Sequence, residues 1–226
     1  MKKTVLVVAA HPDDEILGCG GAVARLIQEG AVGYSLILGE GKTSRDEQRN
    51  VSKRSVEMEN LYSEAHKANA VIGVKEIFLY DFPDNRFDTA ALLDIVKVVE
   101  EVKQKVKPDI IFTHYQSDLN IDHRVTYNAV ITATRPMPGE TVKEIYSFEN
   151  SSSTEWNFPL SFSPNVFFDI SKTIELKKKA LECYCSELCD FPHPRSIKGV
   201  ELQAANWGMK MGVSFAEAFR CIRSVR

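Results

Sequence analysis

The chain has 226 residues, of which 44% are hydrophobic and 26% charged, and its formal net charge at pH 7 is −3. This length allows one substantial hydrophobic core, so we expect a single domain over residues 1–226. The composition is that of a globular protein, and the absence of a long basic run argues against nucleic acid as a partner. No apolar run reaches the roughly 18 residues that would predict a transmembrane helix.

The N-terminal Met1-Lys2-Lys3 precedes an apolar stretch that is too short to predict a secretion signal, and cleavage after Ala10 would remove the first predicted strand. We therefore expect a cytoplasmic protein. Its five cysteines cannot all pair, and in the cytosol we expect free thiols. Cys183, Cys185 and Cys189 have a spacing that fits no common structural zinc site.

Short β-branched apolar runs alternate with segments that have the apolar spacing of helices. The predicted strands are 4–9, 34–38, 76–80, 109–114, 144–148 and 166–170, and the predicted helices are 16–29, 44–70, 89–106, 122–135 and 172–188. This alternation predicts an α/β fold that is Rossmann-like, with a mostly parallel sheet flanked by helices. After Pro138 the pattern loosens, and we expect an irregular C-terminal part that carries short strands and a helix.

The most informative segment is Ala10-His11-Pro12-Asp13-Asp14-Glu15, directly after the first predicted strand. The carboxyl ends of parallel strands are where open α/β sheets bind ligands. A role for Asp13 or Asp14 as a helix cap would explain one carboxylate. It would not explain two carboxylates and an imidazole, so we predict a catalytic site at this strand end.

A second polar group follows the predicted strand that ends at His114, where Asp122 and His123 open the next helix. A catalytic zinc usually takes three protein ligands and leaves a fourth position to water. His11, one Asp and His123 can supply such a set. His114 is the rival ligand, although we favour a buried histidine that ends its strand. Asp122 can orient a histidine or cap the helix, and both interpretations stay open.

The two motifs His11-Pro12-Asp13-Asp14-Glu15 and Asp122-His123-Arg124 resemble those of the PIG-L (LmbE-like) family of zinc-dependent N-acetylglucosaminyl deacetylases, and the similarity extends from Val5 to about Leu188. The resemblance implies that His11, Asp14 and His123 bind one Zn²⁺ per chain, with Fe²⁺ as the alternative metal. It implies that Asp13 is the general base. Relatives often have His-Pro-Asp-His in the second motif, whereas Asn120 stands here in place of the first histidine, which leaves the general acid open.

Other polar residues at strand ends are candidates for substrate binding. Asp84 resembles the acidic, sugar-contacting position of the family, although its Pro-Asp-Asn context is also typical of a turn. Relatives place one arginine against the substrate from the region that here holds Arg45, Arg49 and Arg54, and we select Arg54. Asn120 and Asp122 belong to the same set of candidate substrate-binding or supporting residues.

His193 and Arg195 lie in a loop interrupted by proline and flanked by phenylalanine. Such a loop can close over a sugar, and His193 can then replace the histidine that is missing at Asn120. The alternative is a surface loop without a role in the reaction.

The resemblance implies a hydrolase that removes the acetyl group from an N-acetylated amino sugar or its conjugate, a small-molecule substrate. The alternatives are an amidase acting on a larger sugar or thiol conjugate and a non-catalytic sugar-binding protein on the same scaffold. A carboxylate beside the metal, Asp13, favours catalysis, since binding alone needs no base. Phosphoester hydrolysis would favour a second metal, for which the sequence shows no complete ligand set. A homo-oligomer is left open.

Overall fold

The computed structural model describes residues 2–160 and 162–226. Its strands are β1 Thr4–Ala9, β2 Val32–Gly39, β3 Glu76–Phe82, β4 Ile110–His114, β5 Glu144–Phe148, β6 Val166–Asp169 and β7 Ala216–Ser224. Its helices are α1 Asp14–Gln28, α2 Val51–Val71, α3 Leu92–Val106, α4 Ile121–Ala133, α5 Ile174–Glu182 and α6 Ile197–Met211.

The strands form one sheet in the order β3-β2-β1-β4-β5-β7-β6. The pairs β3–β2, β2–β1, β1–β4 and β4–β5 are parallel, whereas β7 is antiparallel to both β5 and β6. The prediction of an α/β fold with a mostly parallel sheet is therefore confirmed. Within the described ranges, no helix is long and apolar enough to cross a membrane.

The sequence analysis did not predict α6 or β7, and it began α2 too early. A short 3-10 turn occupies Thr43–Arg45, and α2 itself starts at Val51, where the Asn50 side chain accepts a hydrogen bond from Lys53 N. Helix α6 is capped by Ser196 and ends at Gly212, which is left-handed. Its apolar spacing is weak, because Gly199 and Gly208 lie within it. The C-terminal part is thus more regular than expected.

The core lies in two layers, one on each face of the sheet. Along β1, Val5, Val7 and Ala9 pack into the layer shared with α1, α2, α5 and α6, whereas Leu6, Val8 and Ala10 pack into the layer shared with α3 and α4. This alternation follows from the two-residue period of a strand. Because both faces of β1 are covered, the whole strand after Thr4 is apolar.

The glycine-rich start of α1 lets this helix approach the sheet. A Cβ atom on Gly18 would lie 2.2 Å from Cδ2 of Phe148, and a Cβ atom on Gly21 would lie 2.9 Å from Cδ1 of Ile170. Both distances are shorter than any ordinary carbon–carbon contact. The absence of side chains at these positions therefore allows close packing of α1 against the sheet.

The chain leaves β1 toward β2 and β3 on one side and later adds β4 and β5 on the other side. The carboxyl ends of β1 and β4 therefore flank the point where the strand order reverses, which in open α/β sheets is a ligand-binding crevice. The two polar motifs of the sequence meet at this crevice.

Candidate metal centre and active site

The turn from β1 into α1 presents Asp13 in an unusual backbone conformation. Its φ angle is +101°, and its side chain makes no capping hydrogen bond to α1. The backbone N–H of Asp13 donates to Oε2 of the buried Glu15 at 3.1 Å, which supports this conformation. A non-glycine residue at positive φ costs about 1–3 kcal/mol and is typical of functional sites. The Asp13 carboxylate is left available for chemistry.

His11, Asp14 and His123 converge below this turn. One possible ligand atom from each lies within 4.8 Å of the others. Asp14 Oδ2 lies 3.4 Å from His11 Nδ1 and 3.3 Å from His123 Nε2. All three residues are at least nine-tenths buried. The cluster joins the ends of β1 and β4, as the sequence analysis expected.

The other ring nitrogen of His11 faces a second pair of carboxylates. His11 Nε2 lies 2.9 Å from Asp122 Oδ2 and 3.4 Å from Asp84 Oδ1. Asp122 Oδ1 accepts the backbone N–H of Phe87 at 2.9 Å. The cap of α4 is Asn120, whose side chain accepts the N–H of Asp122 at 2.8 Å. Of the two interpretations left open for Asp122, the geometry shows contact with a histidine.

His114 differs from the other two histidines. Its Nε2 atom accepts the backbone N–H of Ala10 at 2.9 Å, and its ring stacks on His123 with the centroids 3.9 Å apart. Burial, reinforced by the charge of His123, lowers the pKa of His114 to about 3. Its Nε2 lone pair is therefore already used, and the imidazole is neutral.

The adjacent carboxylates Asp13 and Asp14 have opposite electrostatic environments. Burial raises the pKa of Asp13 well above its ordinary value, and the charge of Asp14 adds to this rise. Burial also opposes ionisation of Asp14, but His123 and His114 outweigh it and hold the pKa of Asp14 well below its ordinary value. Two neighbouring carboxylates whose pKa values are shifted in opposite directions are typical of catalytic sites in which one group transfers protons and the other stays charged.

The two clustered imidazoles are driven toward their charged forms. Burial opposes the charge of His11, yet the carboxylates of Asp122 and Asp14 raise its pKa well above the ordinary value. Burial also opposes the charge of His123, but Asp14 and Asp118 raise its pKa to about 9. Both shifts arise from the surrounding acids and favour positive charge at this cluster.

A divalent cation fits this donor set. Two imidazoles and one carboxylate are nitrogen and oxygen ligands of the kind that zinc takes in catalytic sites. The buried acids around them are in excess of the histidines and comprise Asp13, Asp14, Asp84, Asp118 and Asp122, each no more than 5% exposed. Buried charges need compensation, and a bound cation would provide it. Among the described residues, two groups could hold one: His11, Asp14 and His123, and His11, Asp84 and Asp122.

Two supporting residues were missed by the sequence analysis. Asn150, which follows β5, donates from Nδ2 to Asp14 Oδ1 at 2.6 Å. Asp118, in the loop between β4 and α4, lies with Oδ1 3.0 Å from His123 Nδ1. Burial opposes the charge of Asp118, but His123 and hydroxyl donors outweigh it and lower its pKa to about 2. The sequence signal for Asp118 was its place between a strand end and the second motif.

Charged side chains border the site near Asp13. Nη1 of Arg195 lies 3.2 Å from Asp13 Oδ2, and Arg45 forms an ion pair with Glu187 at 3.0 Å. Lys42, buried beside them, also pairs with Glu187. Arg195 thus reaches the cluster from the loop after α5.

Arg54 and His193 lie outside the residues that line the cavity above the cluster, unlike most of the other candidates for substrate binding. Arg54 pairs with Asp46 and Glu57. The His193 ring packs edge-to-face on Trp156 with the centroids 5.8 Å apart, and His193 Nδ1 accepts the backbone N–H of Arg195 at 3.2 Å. Neither side chain lines the cavity described next.

A cavity of about 240 Å³ opens above the cluster, and its walls are almost entirely polar. Its lining residues are His11–Asp14, Gly41, Ser44, Arg45, Asp84, Asn85, Asn120, His123, Asn150–Ser153, Glu187 and Arg195. A larger groove of about 450 Å³ lies at the C-terminal ends of α3 and α4, far from the histidines. Its Lys103 is already bonded to Glu140 and to the carbonyl of Ala133. The smaller cavity is the one that His11, Asp13, Asp14 and His123 line.

Comparisons with known proteins agree with this location. The chain is 27% identical to an uncharacterized deacetylase, YaiS, of Escherichia coli over 76% of this chain and 84% of that protein. It is also 27% identical to a probable N-acetyl-α-D-glucosaminyl L-malate deacetylase 2 of Bacillus cereus over 83% of this chain and 84% of that protein.

Two solved structures have the same fold. The N,N'-diacetylchitobiose deacetylase of Pyrococcus horikoshii has a TM-score of 0.75, at 22% identity, over 98% of this chain and 84% of that chain. A 4-carboxy-2-hydroxymuconate hydratase, GalB, of Pseudomonas putida has a TM-score of 0.76, at 21% identity, over 99% of this chain and 98% of that chain. The fold is thus shared by enzymes of different reaction classes. The fold alone therefore does not identify the reaction, which has to be argued from the residues of the site.

The sequence model of the PIG-L family, described as GlcNAc-PI de-N-acetylase, matches residues 6–134. This range contains both motifs and every residue of the histidine–aspartate cluster. Together with the named deacetylases among the relatives, the match supports a deacetylase role, that of an amide hydrolase. The chain belongs to the PIG-L family.

Proposed function

We propose that this protein is a Zn²⁺-dependent hydrolase that removes the acetyl group from an N-acetylated amino sugar or its conjugate. The observation that carries the proposal is the division between Asp13 and Asp14. Asp14 belongs to the histidine cluster, whereas Asp13 lies beside it with a raised pKa and with Arg195 Nη1 3.2 Å from its Oδ2 atom. The family description and the Bacillus cereus relative both name N-acetylglucosamine compounds, which supports this substrate class.

His11, Asp14 and His123 would hold the metal, Zn²⁺ in our proposal and Fe²⁺ as the alternative. When bound, such an ion polarises an acyl oxygen and acidifies water. Asp122 orients His11 through Nε2, as carboxylates commonly do for metal-binding histidines. His114 supports the cluster by packing on His123.

Asp13 is the proposed base and acid. Its carboxylate accepts the proton of the attacking water and later donates that proton to the departing amine nitrogen. Asn120 takes no part in proton transfer, since an amide does not titrate in this pH range. Its Oδ1 atom caps α4, and its Nδ2 atom donates to Asn85 Oδ1 at 2.9 Å. Burial raises the pKa of Asp13, which strengthens it as a proton acceptor.

The polar cavity favours a sugar over an apolar ligand. Carboxylates such as Asp84 can accept hydrogen bonds from sugar hydroxyls, and Arg195 and Arg45 can donate to ligand oxygens. We assign the arginine contacts to Arg195 and Arg45 and not to Arg54, because Arg45 and Arg195 line the cavity. The volume of about 240 Å³ is below the usual range of drug-sized pockets, which favours one small polar unit in the closed part of the site.

Acetate release from a panel of N-acetyl sugars, measured with and without a chelator, tests the proposal. The panel includes free N-acetylglucosamine, its glycosides and larger acylated sugar and thiol conjugates. We expect chelator-sensitive acetate release from at least one N-acetyl sugar, and strongly reduced release by Asp13→Asn. Cleavage confined to larger acyl conjugates would favour the amidase alternative. Sugar binding without acetate release from any compound would favour the binding protein.

A further inference from the structure

The supporting residues of Asp14 and His123 form a closed circuit. Asn150 Nδ2 donates to Asp14 Oδ1 at 2.6 Å, and Asn150 N donates to Thr154 Oγ1 at 2.7 Å. Thr154 Oγ1 donates to Asp118 Oδ2 at 2.5 Å, and Asp118 Oδ1 lies 3.0 Å from His123 Nδ1. His123 Nε2 lies 3.3 Å from Asp14 Oδ2, which closes the circuit. We call these five residues the ligand circuit.

In the ligand circuit, the donor and the acceptor of the hydrogen bonds that join Asn150, Thr154 and Asp118 follow from the chemistry of their groups. A backbone N–H can only donate, so the Thr154 hydroxyl accepts from Asn150 and has its single proton left for Asp118. Asp118 also accepts the N–H of Asn120 and the hydroxyl of Ser153. Its carboxylate is thus an acceptor on every side. His123 Nδ1 lies 3.0 Å from Asp118 Oδ1 without the alignment of a hydrogen bond, and the negative charge of Asp118 favours a proton on this nitrogen.

The circuit selects which atoms face the metal position. With its proton on Nδ1, His123 presents the lone pair of Nε2 toward Asp14. Asp14 Oδ1 accepts the Asn150 amide, whereas Asp14 Oδ2 accepts the backbone N–H of His11 at 2.9 Å and lies 3.4 Å from His11 Nδ1, so Oδ2 is the oxygen on the side of the two imidazoles. The circuit residues are between 0% and 4% exposed, so water cannot easily replace a lost partner.

We propose that Asp118, Thr154 and Asn150 are positioning residues that orient His123 and Asp14 as metal ligands, so that the segment after β5 controls the affinity of the site for its metal. This inference rests on the ligand set of the proposed function. Supporting partners of metal ligands typically change affinity by about 10–100-fold when they are removed.

Thr154→Val is the sharpest test, because it removes the hydroxyl and keeps the shape. Zn²⁺ affinity of the purified, metal-free protein is measured by competition with a chromogenic chelator. We expect about 10–100-fold weaker binding for Thr154→Val and recovery in Thr154→Ser, which restores the hydroxyl. Thr126→Val is the matched control: Thr126 is also buried, lies one turn after His123 on α4, and its hydroxyl has no partner. We expect no change in its Zn²⁺ affinity.

A second measurement reports on orientation and does not depend on affinity. Long-range ¹H–¹⁵N correlation spectra of the zinc-loaded protein identify which nitrogen of His123 carries the proton. We expect protonated Nδ1 in the wild type and a loss of this single tautomer in Asp118→Asn. Circular dichroism confirms that each variant is folded.

The proposal is overturned if Thr154→Val binds Zn²⁺ as tightly as the wild type, or if Thr126→Val is weakened equally. It is also overturned if Thr154→Ser fails to recover affinity, since the effect would then belong to packing. A protein that shows the expected zinc affinities but releases acetate from no sugar would contradict the proposed function and leave the ligand circuit intact.

Discussion

Nη1 of Arg195 lies 3.2 Å from Oδ2 of Asp13, although 182 positions separate the two residues in the chain. The loop after α5 thereby places a cation against the proposed general base. Burial and the charge of Asp14 raise the pKa of Asp13, whereas Arg195 lowers it. The protonation of Asp13 is set by this opposition.

Replacing Arg195 should therefore move the activity profile along the pH axis. In Arg195→Ala the effect that lowers the pKa of Asp13 is lost, so the acidic limb of kcat/KM is expected at higher pH. His193→Ala is the control from the same loop, and it should change KM at most, because the His193 ring packs on Trp156. A basic limb that disappears in His193→Ala, with unchanged zinc content, would instead identify His193 as the acid.

Asp13→Asn should separate chemistry from metal binding. We expect zinc content and substrate affinity to be retained and kcat to fall by about 10²–10⁴-fold, the usual contribution of a general base. Metal analysis and steady-state kinetics check this on the same preparation. If Asp13→Asn loses zinc while Asp14→Asn keeps it, the roles of the two aspartates are exchanged.

The metal ligands should be distinguishable from the third histidine. His11→Ala, Asp14→Ala and His123→Ala should each lose bound zinc, since a three-ligand site has no spare donor. His114→Gln should keep zinc, because His114 uses Nε2 to accept the Ala10 N–H and glutamine offers an acceptor to the same strand. Metal analysis after dialysis decides, and full zinc occupancy in His123→Ala would disprove the ligand assignment.

The metal-free and zinc-loaded proteins should respond to pH in opposite ways. The pKa of His123 rises from 6.5 to about 9 on folding, so its contribution to stability is complete below pH 6.5 and is lost as pH rises through 9. Zinc needs the neutral imidazole, so bound metal should stabilise more at pH 9 than at pH 6.5.

Thermal melts with and without Zn²⁺ between these two pH values provide the measurement. In His123→Ala the metal-free protein should lose less stability over this range than the wild type does. A metal-free wild-type protein whose melting temperature does not fall between pH 6.5 and 9 would contradict the prediction.

Gly18→Ala should destabilise the fold without touching the site. Its Cβ atom would lie 2.2 Å from Cδ2 of Phe148, so α1 or the ring must shift. We expect a loss of about 1–3 kcal/mol in the free energy of unfolding, typical of an overpacked core. Urea denaturation measures it, and adding Phe148→Leu should recover part of the loss. Equal stability of Gly18→Ala and wild type would show that this packing is loose.

The elements around β1 could be predicted because their signals are local. A buried β-branched run followed by His11, Asp13 and Asp14 predicts a strand end with a polar cluster beside it, and the structure has β1 end at Ala9. The sequence could not show whether Asp122 caps α4 or contacts a histidine, since an aspartate at the start of a helix is expected in both cases. The structure decides it through Asn120, which takes the cap and leaves Asp122 to the imidazole.

The missed features depend on contacts between distant segments. Strand β7 mixes charged and apolar residues because it lies between β5 and β6 as an antiparallel insertion, a position that no local pattern encodes. Thr154 and Asn150 act through partners in other loops, so their sequence context is that of an ordinary polar turn. Arg45 and Arg54 are alike in sequence, and the late start of α2 at Val51 decides which of them lines the cavity.

The place of β7 has a consequence for the order in which the molecule assembles during translation. Strands β5 and β6 hydrogen-bond to β7 and not to each other, and β7 is synthesised after both. While the ribosome is still translating α6, the nascent sheet can extend only as far as β5. Strand β5 then stands at an open edge of the sheet that the arrival of β7 closes. The sheet is thus completed late in synthesis, after both sequence motifs have left the ribosome.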